Sequence, residues 1–461
     1  MVARIKIGDD FWEAQKSRQQ PIVWDEQSLS NPHVGVTGTT GAGKTHWIKQ
    51  FCAGMPSDVE IDIYDYHGDI EIPGARSVLF SESTRYGYNP LVLNPDEHYG
   101  GVRRCVADML DAMNTSTRKL GENQAGVLRN LLVDTFALRG IYASSPATWR
   151  RREMTEAEAR QCVERRDWGA MREAYPHLSD VVSLARRKLK ALWLGVEDSG
   201  QGRAVMSAFD DCSRAMSSLN AMRTKLAKAR GGSAEEAETL QKRMDVSKGK
   251  AIEAFTSYIE KLETGREFEE AIKYNSKDVL LSVITRLENL MDKGIFNPNP
   301  PPFGNAAIRR FNLKPVAQSV DELRMFVNMR LQATIREMMQ LGESKRVRRL
   351  VVLDECKTYL DEDPRAPINV IATEMRKFGL MLVLAGQSPA HWSRDFIKSA
   401  GTLLILNLAT VDWDEAARKL RIDLADLKYL RPQQTGAVRM LEKGKPPAFR
   451  RVQFLNAAAR A

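Results

Sequence analysis

Four short apolar runs bounded by turn residues stand out along the chain: His33–Thr37, Val59–Tyr64, Leu350–Leu353 and Leu380–Ala385. Their near-continuous hydrophobicity is that of strands buried on both faces, and a fifth run, Leu403–Leu408, follows soon after. Helical spacing fills the intervals, as in Thr45–Phe51, Val102–Met113, Gly126–Leu138 and Val320–Gln340. Strands alternating with helices predict an α/β domain with a mainly parallel sheet. From about Ile141 to Asn275 the rhythm breaks into polar, charged sequence with little strand signal. There Val205, Phe209, Cys212, Met216, Leu219, Met222 and Leu226 recur at steps of four and three. After Gly231-Gly232 the stripe resumes with Ala237, Leu240, Met244, Ala251, Phe255, Tyr258 and Leu262. Two stripes around a double glycine predict an antiparallel helical hairpin, each arm about 40 Å long at 1.5 Å per residue. The stripes read as packing seams, and the arm is a candidate contact for a protein partner. Phe296–Gly304, rich in proline, is an extended connector that returns the chain to the sheet. The expected organisation is a first core segment over 1–140, a helical insertion over 141–275 and a second core segment over 276–461.

Composition narrows the class. No apolar run approaches the ~20 residues that cross a bilayer, and the amino terminus has no apolar signal segment. The five cysteines are scattered without a CxxC pair, which fits reduced thiols and a cytoplasmic protein and argues against structural zinc. The formal net charge of +9 favours a polyanionic partner. Basic clusters recur at Arg150-Arg151-Arg152, at Arg186-Arg187-Lys188 with Lys190, and at Lys345-Arg346 with Arg348-Arg349. Charge runs are more often solvated faces than binding sites, so they add only mild support.

The chemistry is concentrated in three places. Gly38, Thr39, Thr40, Gly41, Ala42, Gly43, Lys44 and Thr45 complete the phosphate-loop pattern G-x-x-x-x-G-K-[ST] between an apolar strand and a helix. The glycines let backbone N–H groups wrap phosphate oxygens at a helix amino terminus. Lys44 is expected to reach the terminal phosphates and Thr45 to hold Mg²⁺. In Arg348-Arg-Leu-Val-Val-Leu-Asp354-Glu355, a buried strand delivers two adjacent carboxylates. Asp354 is expected to hold Mg²⁺ through a water and Glu355 to orient or deprotonate the attacking water. Gln387, after the strand Leu380–Ala385, is placed to sense the γ-phosphate, although a loop glutamine more often just faces solvent.

With these in place, the segment Pro32–Thr45 resembles the opening of HerA, FtsK and TraG-like conjugation ATPases. Asp65-Tyr-His67-Gly-Asp69 resembles their D-P-H-G-D segment, and Asn89-Pro90-Leu91 a recurrent N-P-L. Arg376-Lys-Phe-Gly379 followed by a strand and Gln387-Ser-Pro389 resembles their R-K-x-G and Q-S-P block. The likeness covers about 20–140 and 275–445. It implies a RecA-like P-loop core, ATP and Mg²⁺ as cofactors, a homo-oligomeric and hexameric ring, and translocation of DNA, most often double-stranded. It also implies an arginine supplied by the neighbouring subunit, for which Arg376 is the first candidate and Arg431 a weaker one, unless Arg376 serves its own subunit. His67 and Asp69 either couple nucleotide to interface or cap the strand end. Tyr66 stands where the family has proline, and Gly386 where threonine often precedes the glutamine. No amino-terminal barrel of the HerA type and no membrane anchor of the FtsK type is expected. Competing classes are a secretion-assembly ATPase acting on protein subunits and an ATP-dependent switch or scaffold.

Overall fold

The computed structural model describes residues 2–114, 119–194, 200–229, 234–261, 274 and 277–454. Its strands in chain order are β1 (Arg4–Asp10), β2 (Pro21–Asp25), β3 (Val34–Gly38), β4 (Glu60–Asp65), β5 (Arg76–Leu79), β6 (Ile308–Asn312), β7 (Arg349–Leu353), β8 (Leu380–Gly386), β9 (Thr402–Asn407), β10 (Thr435–Met440) and β11 (Phe449–Gln453). They form one sheet of spatial order β2-β1-β11-β10-β9-β3-β8-β7-β4-β6-β5. Every pairing from β9 to β5 is parallel. An antiparallel wing, β9-β10-β11-β1-β2, extends one edge.

The five expected strands are β3, β4, β7, β8 and β9, and the helix Val320–Gln340 has its expected ends. Alternation along the central strands explains their unbroken hydrophobicity. Leu380, Leu382 and Leu384 enter one core, while Met381, Val383 and Ala385 enter the core on the opposite face. The strands that periodicity missed are peripheral or charged. In β6, Arg309 pairs with Asp62 at 2.6 Å and Arg310 with Asp65 at 2.8 Å, so its polar residues are answered by acids of β4. The connector 296–304 has no regular element and leads directly into β6.

The insertion helix Leu178–Leu194 packs onto the sheet together with helices of both core segments. Leu128, Leu131, Val181, Leu184, Val283 and Leu287 share one core with the strand residues Val351 and Leu353. The helix Lys277–Asp292 packs against Leu178–Leu194 and Glu122–Leu138, across the expected boundary at 275. The hairpin consists of Gly200–Ala229 packed against Ala234–Lys261, the longer arm reaching about 45 Å at 1.5 Å per residue. At its base Ala208, Cys212 and Ala251 are buried, and Lys190 pairs with Asp210. The expectation of sealed seams needs correction for Phe209, Met216 and Phe255, which are 37%, 46% and 53% exposed. Two helices cover only a narrow strip of each other, so residues flanking that strip stay open. Val205, Leu226, Ala237, Leu240, Tyr258, Leu262 and the double glycine lie outside what is described of this segment.

Among the described residues no helix is long and apolar enough to cross a membrane.

His33, just before β3, is fully buried, and its Nδ1 accepts the N–H of Leu382 at 3.1 Å. Burial, with Arg376 adding repulsion, holds its pKa down at about 3 against a backbone contact that opposes the shift. An imidazole whose folded pKa is depressed binds more protons unfolded, so its stabilising effect is full above the unfolded pKa near 6.5 and declines below it. Chemical denaturation at pH 7 and 5.5 is expected to show about 1 kcal/mol less stability from this group at the lower pH. His33→Asn, whose amide oxygen can accept the same N–H, should flatten that slope. A second outcome concerns the hairpin: replacing 205–262 by a short linker is expected to leave equilibrium nucleotide binding intact, whereas loss of the whole fold would make the hairpin part of the core.

Candidate nucleotide site at the carboxyl ends of the parallel strands

The phosphate loop leaves β3 at Gly38 and enters the helix Lys44–Ala53. Gly41 and Gly43 take φ of 77° and 101°, the left-handed region that side chains disfavour. The helix is fixed from behind by aromatics: Trp47 stacks on Phe51 at 4.8 Å, and Trp24 meets Phe51 edge-on at 5.2 Å. Burying each such side chain stabilises by about 1.5–3 kcal/mol, enough to hold the helix terminus in place. Lys44 curls back over the loop, its Nζ donating to the carbonyls of Gly38 (2.6 Å) and Thr39 (3.2 Å). Burial lowers its pKa, and the charges of Asp354, Glu355 and Asp69 work against that shift. Thr45 donates its hydroxyl to Asp69 at 3.2 Å.

Opposite the loop, β4 and β7 bring carboxylates together. Asp65, Asp69 and Asp354 offer oxygens that all lie within 4.8 Å of one another. They are not equivalent. Asp65 is fully buried and accepts from the backbone N–H of Gly68 (2.7 Å), Asp69 (3.3 Å) and Ile70 (2.9 Å), and from Arg310 Nε (2.8 Å). Its oxygens are consumed in shaping the 65–70 turn. Asp354, 5% exposed, keeps one carboxylate oxygen with no partner. Burial pushes its pKa up to about 7; His67 opposes the shift, while Asp65 and Asp69 add to it. An orphaned buried carboxylate beside a second carboxylate and a threonine hydroxyl is an oxygen-only donor set, which fits a hard divalent cation such as Mg²⁺.

Glu355 follows with φ of 51°. Its Oε2 lies 3.5 Å from His67 Nε2 and accepts from Gln387 Nε2 at 3.3 Å. The strand-end glutamine, the 65–69 turn and the second carboxylate therefore meet at one oxygen. Gly386 has a local reason: a Cβ there would stand 2.7 Å from Cys356 Sγ, so the buried thiol fills the space a threonine would need. Tyr66, in the place of proline, donates its hydroxyl to the carbonyl of Ala317 at 3.2 Å.

Other residues singled out in the sequence fall elsewhere. Asn89 ties the N-P-L turn to the insertion, donating to the carbonyl of Pro176 at 2.9 Å. Arg376 is exposed before the amino end of β8, the strand whose carboxyl end precedes Gln387, so it lies across the sheet from its own phosphate loop. Arg431 donates to the carbonyls of Lys428 and Leu430 within its own turn. Two polar residues that the sequence did not flag touch the loop. Asn407 donates to Thr39 Oγ1 at 3.0 Å, and Gln433 donates to the carbonyl of Gly41 at 3.0 Å. Asn407 closes the apolar run of β9, and that position was its only sequence signal. Gln433, with φ of 61°, had none.

Such a sheet, with β3 between β8 and β9 and the loop at its carboxyl end, defines a RecA-like P-loop fold carrying a helical insertion. The solved structure of VirB4 of Thermoanaerobacter pseudethanolicus has the same fold, matching with a TM-score of 0.56 at 12% identity over 99% of this chain and 97% of that one. More weakly similar are the bacterial conjugative coupling protein TrwBdeltaN70 with sulphate (TM-score 0.49, 12% identity, 99% of this chain and 95% of that chain) and plasmid coupling protein TrwB with the ATP analogue ADPNP (0.48, 13%, 100% and 96%). No family model matches the chain, and no curated protein matches it in sequence. The fold is the one that the resemblance to HerA and FtsK implies.

Because Asp65 and Arg310 are 0% and 5% exposed, removing the cation leaves a buried carboxylate uncompensated. Arg310→Ala is expected to cost about 3–5 kcal/mol in urea denaturation. Asp65→Asn with Arg310→Met should cost less than Arg310→Ala alone.

Proposed function

We propose that this chain is an ATP-hydrolysing, ring-forming motor that translocates DNA. The observation that carries the proposal is the meeting of three elements at one end of the sheet: the loop bearing Lys44, Asp354 with its free oxygen, and Glu355 held by His67 and Gln387. In this reading the loop N–H groups and Lys44 bind the phosphates of ATP. Thr45 and Asp354 hold Mg²⁺, the latter through a water, and the ion offsets charge on the phosphate oxygens. Glu355 accepts a proton from the attacking water as its oxygen bonds to the γ-phosphorus. The bond from γ-phosphorus to the bridging oxygen breaks, leaving ADP and phosphate. Gln387, sharing an oxygen of Glu355, senses whether a γ-phosphate is present.

Arg376 stands at the opposite end of the strands from its own loop, so a catalytic part for it would fall in a neighbouring subunit's site, where it would stabilise transition-state charge. The net charge of +9 supports a polyanionic partner such as DNA. The likeness of fold to VirB4 is compatible with a motor of the HerA/FtsK type.

Steady-state ATP hydrolysis with and without double-stranded DNA, at several salt concentrations, tests the reading. DNA is expected to stimulate turnover, and the stimulation to weaken as salt rises. Lys44→Ala and Glu355→Gln should each lower turnover by about 100-fold or more, Glu355→Gln with ATP binding retained. Hydrolysis indifferent to DNA would move the function to protein secretion or switching.

A further inference from the structure

The sequence's basic clusters turn out to be largely occupied within the molecule. Arg186 pairs with Glu288 at 2.6 Å, Arg349 bridges Glu60 and Glu337, and Arg348 donates to the carbonyls of Leu341, Gly342 and Glu343. Outside those clusters, uncompensated charge gathers in a further place. A cleft of about 1020 Å³ opens between the helices Arg394–Ser399 and Trp413–Leu420 and the strands β10 and β11. Arg394, Lys398, Arg418, Lys419, Arg421 and Arg439 line it, against the carboxylates of only Glu362 and Glu415.

Most of these cations lack an ionic partner. Among the described residues no carboxylate pairs with Arg394, Arg418, Arg421 or Arg439, and Lys398 reaches Asp395 only at 4.0 Å. Lys419 donates to the carbonyl of Ala390 at 3.1 Å. Arg439 lies deepest. Its Nη2 donates to the carbonyl of Ile397 at 3.1 Å, and its Nε is buried with no partner. Burial alone depresses its pKa, with no acid opposing. A guanidinium removed from water without a counter-charge is costly, and a bound anion removes that cost.

We propose that this cleft binds the phosphodiester backbone of DNA, an inference that rests on the motor reading above and gives it a contact surface. Four of the six cations are arginines, whose planar forks match phosphate oxygens. Phe449, over whose ring the Arg439 guanidinium lies at 5.8 Å, adds an apolar face beside the charges. The cleft also stands apart from catalysis. Arg439 is in register with Leu403 near the start of β9, whereas the phosphate loop adjoins Asn407 at its end.

The test is fluorescence anisotropy of labelled duplex and single-stranded oligonucleotides over a salt series, using the full chain. Each phosphate contact contributes about 0.9 to the slope of log affinity against log salt for duplex. Arg394→Glu/Arg418→Glu/Arg421→Glu is expected to weaken binding at least about tenfold and flatten that slope by about 2 to 3. Arg418→Gln/Arg421→Gln, a milder change, should flatten it by about 2. Hydrolysis without DNA should be unchanged in both, which reports that they fold. As a control of equal charge, Arg129→Glu/Arg165→Glu/Arg166→Glu, at exposed positions away from the cleft, should leave the slope as it was. Wild-type affinity and slope in the cleft variants would overturn the cleft and leave the motor reading standing. An equal loss in the control would also overturn it, as an effect of bulk charge. A wild-type chain that binds neither oligonucleotide would overturn both.

Discussion

Charge balance at the carboxyl ends of the parallel strands is the constraint on which the rest of this structure depends. β3, β4, β7 and β8 end side by side, and between them they deliver one ammonium and several carboxylates into a partly dry space. Asp65 is neutralised permanently by Arg310 and by three backbone N–H groups. That settlement fixes the turn carrying His67 and Asp69. Asp354 has no such settlement, and one of its oxygens is left without a partner. One acid is thus structural and its neighbour is left reactive, although both sit at equivalent strand ends. The difference comes from β6, whose arginine is within reach of β4 but not of β7, two strands away.

Departures from the family pattern are absorbed locally. Tyr66 finds a backbone acceptor in the next layer, and Gly386 yields its side-chain space to Cys356. In both cases the substitution is matched by a partner that only the folded structure reveals. Glu355 has its contacts with Gln387 and His67 with both changes in place.

Legibility in the sequence followed burial. Strands buried on both faces announce themselves as apolar runs, which is why β3, β4, β7, β8 and β9 could be read. β6 and β11 carry paired arginines, Arg310 with Asp65 of β4 and Arg451 with Asp426 of the helix Leu424–Leu427, so their periodicity is hidden. The remaining strands of the antiparallel wing, β1, β2 and β10, were missed as well, and Gln433 with them. The phosphate loop, Asp354 and Glu355 were legible because each is tied to a strand end by spacing in the chain. Free charge was not legible: the arginine runs that looked available are mostly bonded. Of the cations without partners, Arg418 and Arg421 stand in one short basic run with Lys419, which its surroundings in the sequence did not single out, and Arg394 joins them only in space. The exposed Phe209, Met216 and Phe255 show a related limit, since a helical stripe gives a direction but not what covers it.

The strand order has a consequence for how the molecule comes into being. β3, which bears the phosphate loop, has as its only neighbours β8 and β9, both from the last quarter of the chain. β1 can pair early with β2, but its other edge waits longer still, since Asp9 pairs with Gln453. During synthesis the loop and its helix leave the ribosome early and remain without lateral partners while the insertion is made. Contacts this distant in sequence form slowly and leave apolar edges open meanwhile. The nucleotide site is therefore among the last parts of the fold to be completed, and a chain interrupted before β9 has the phosphate-loop sequence without the sheet that shapes it.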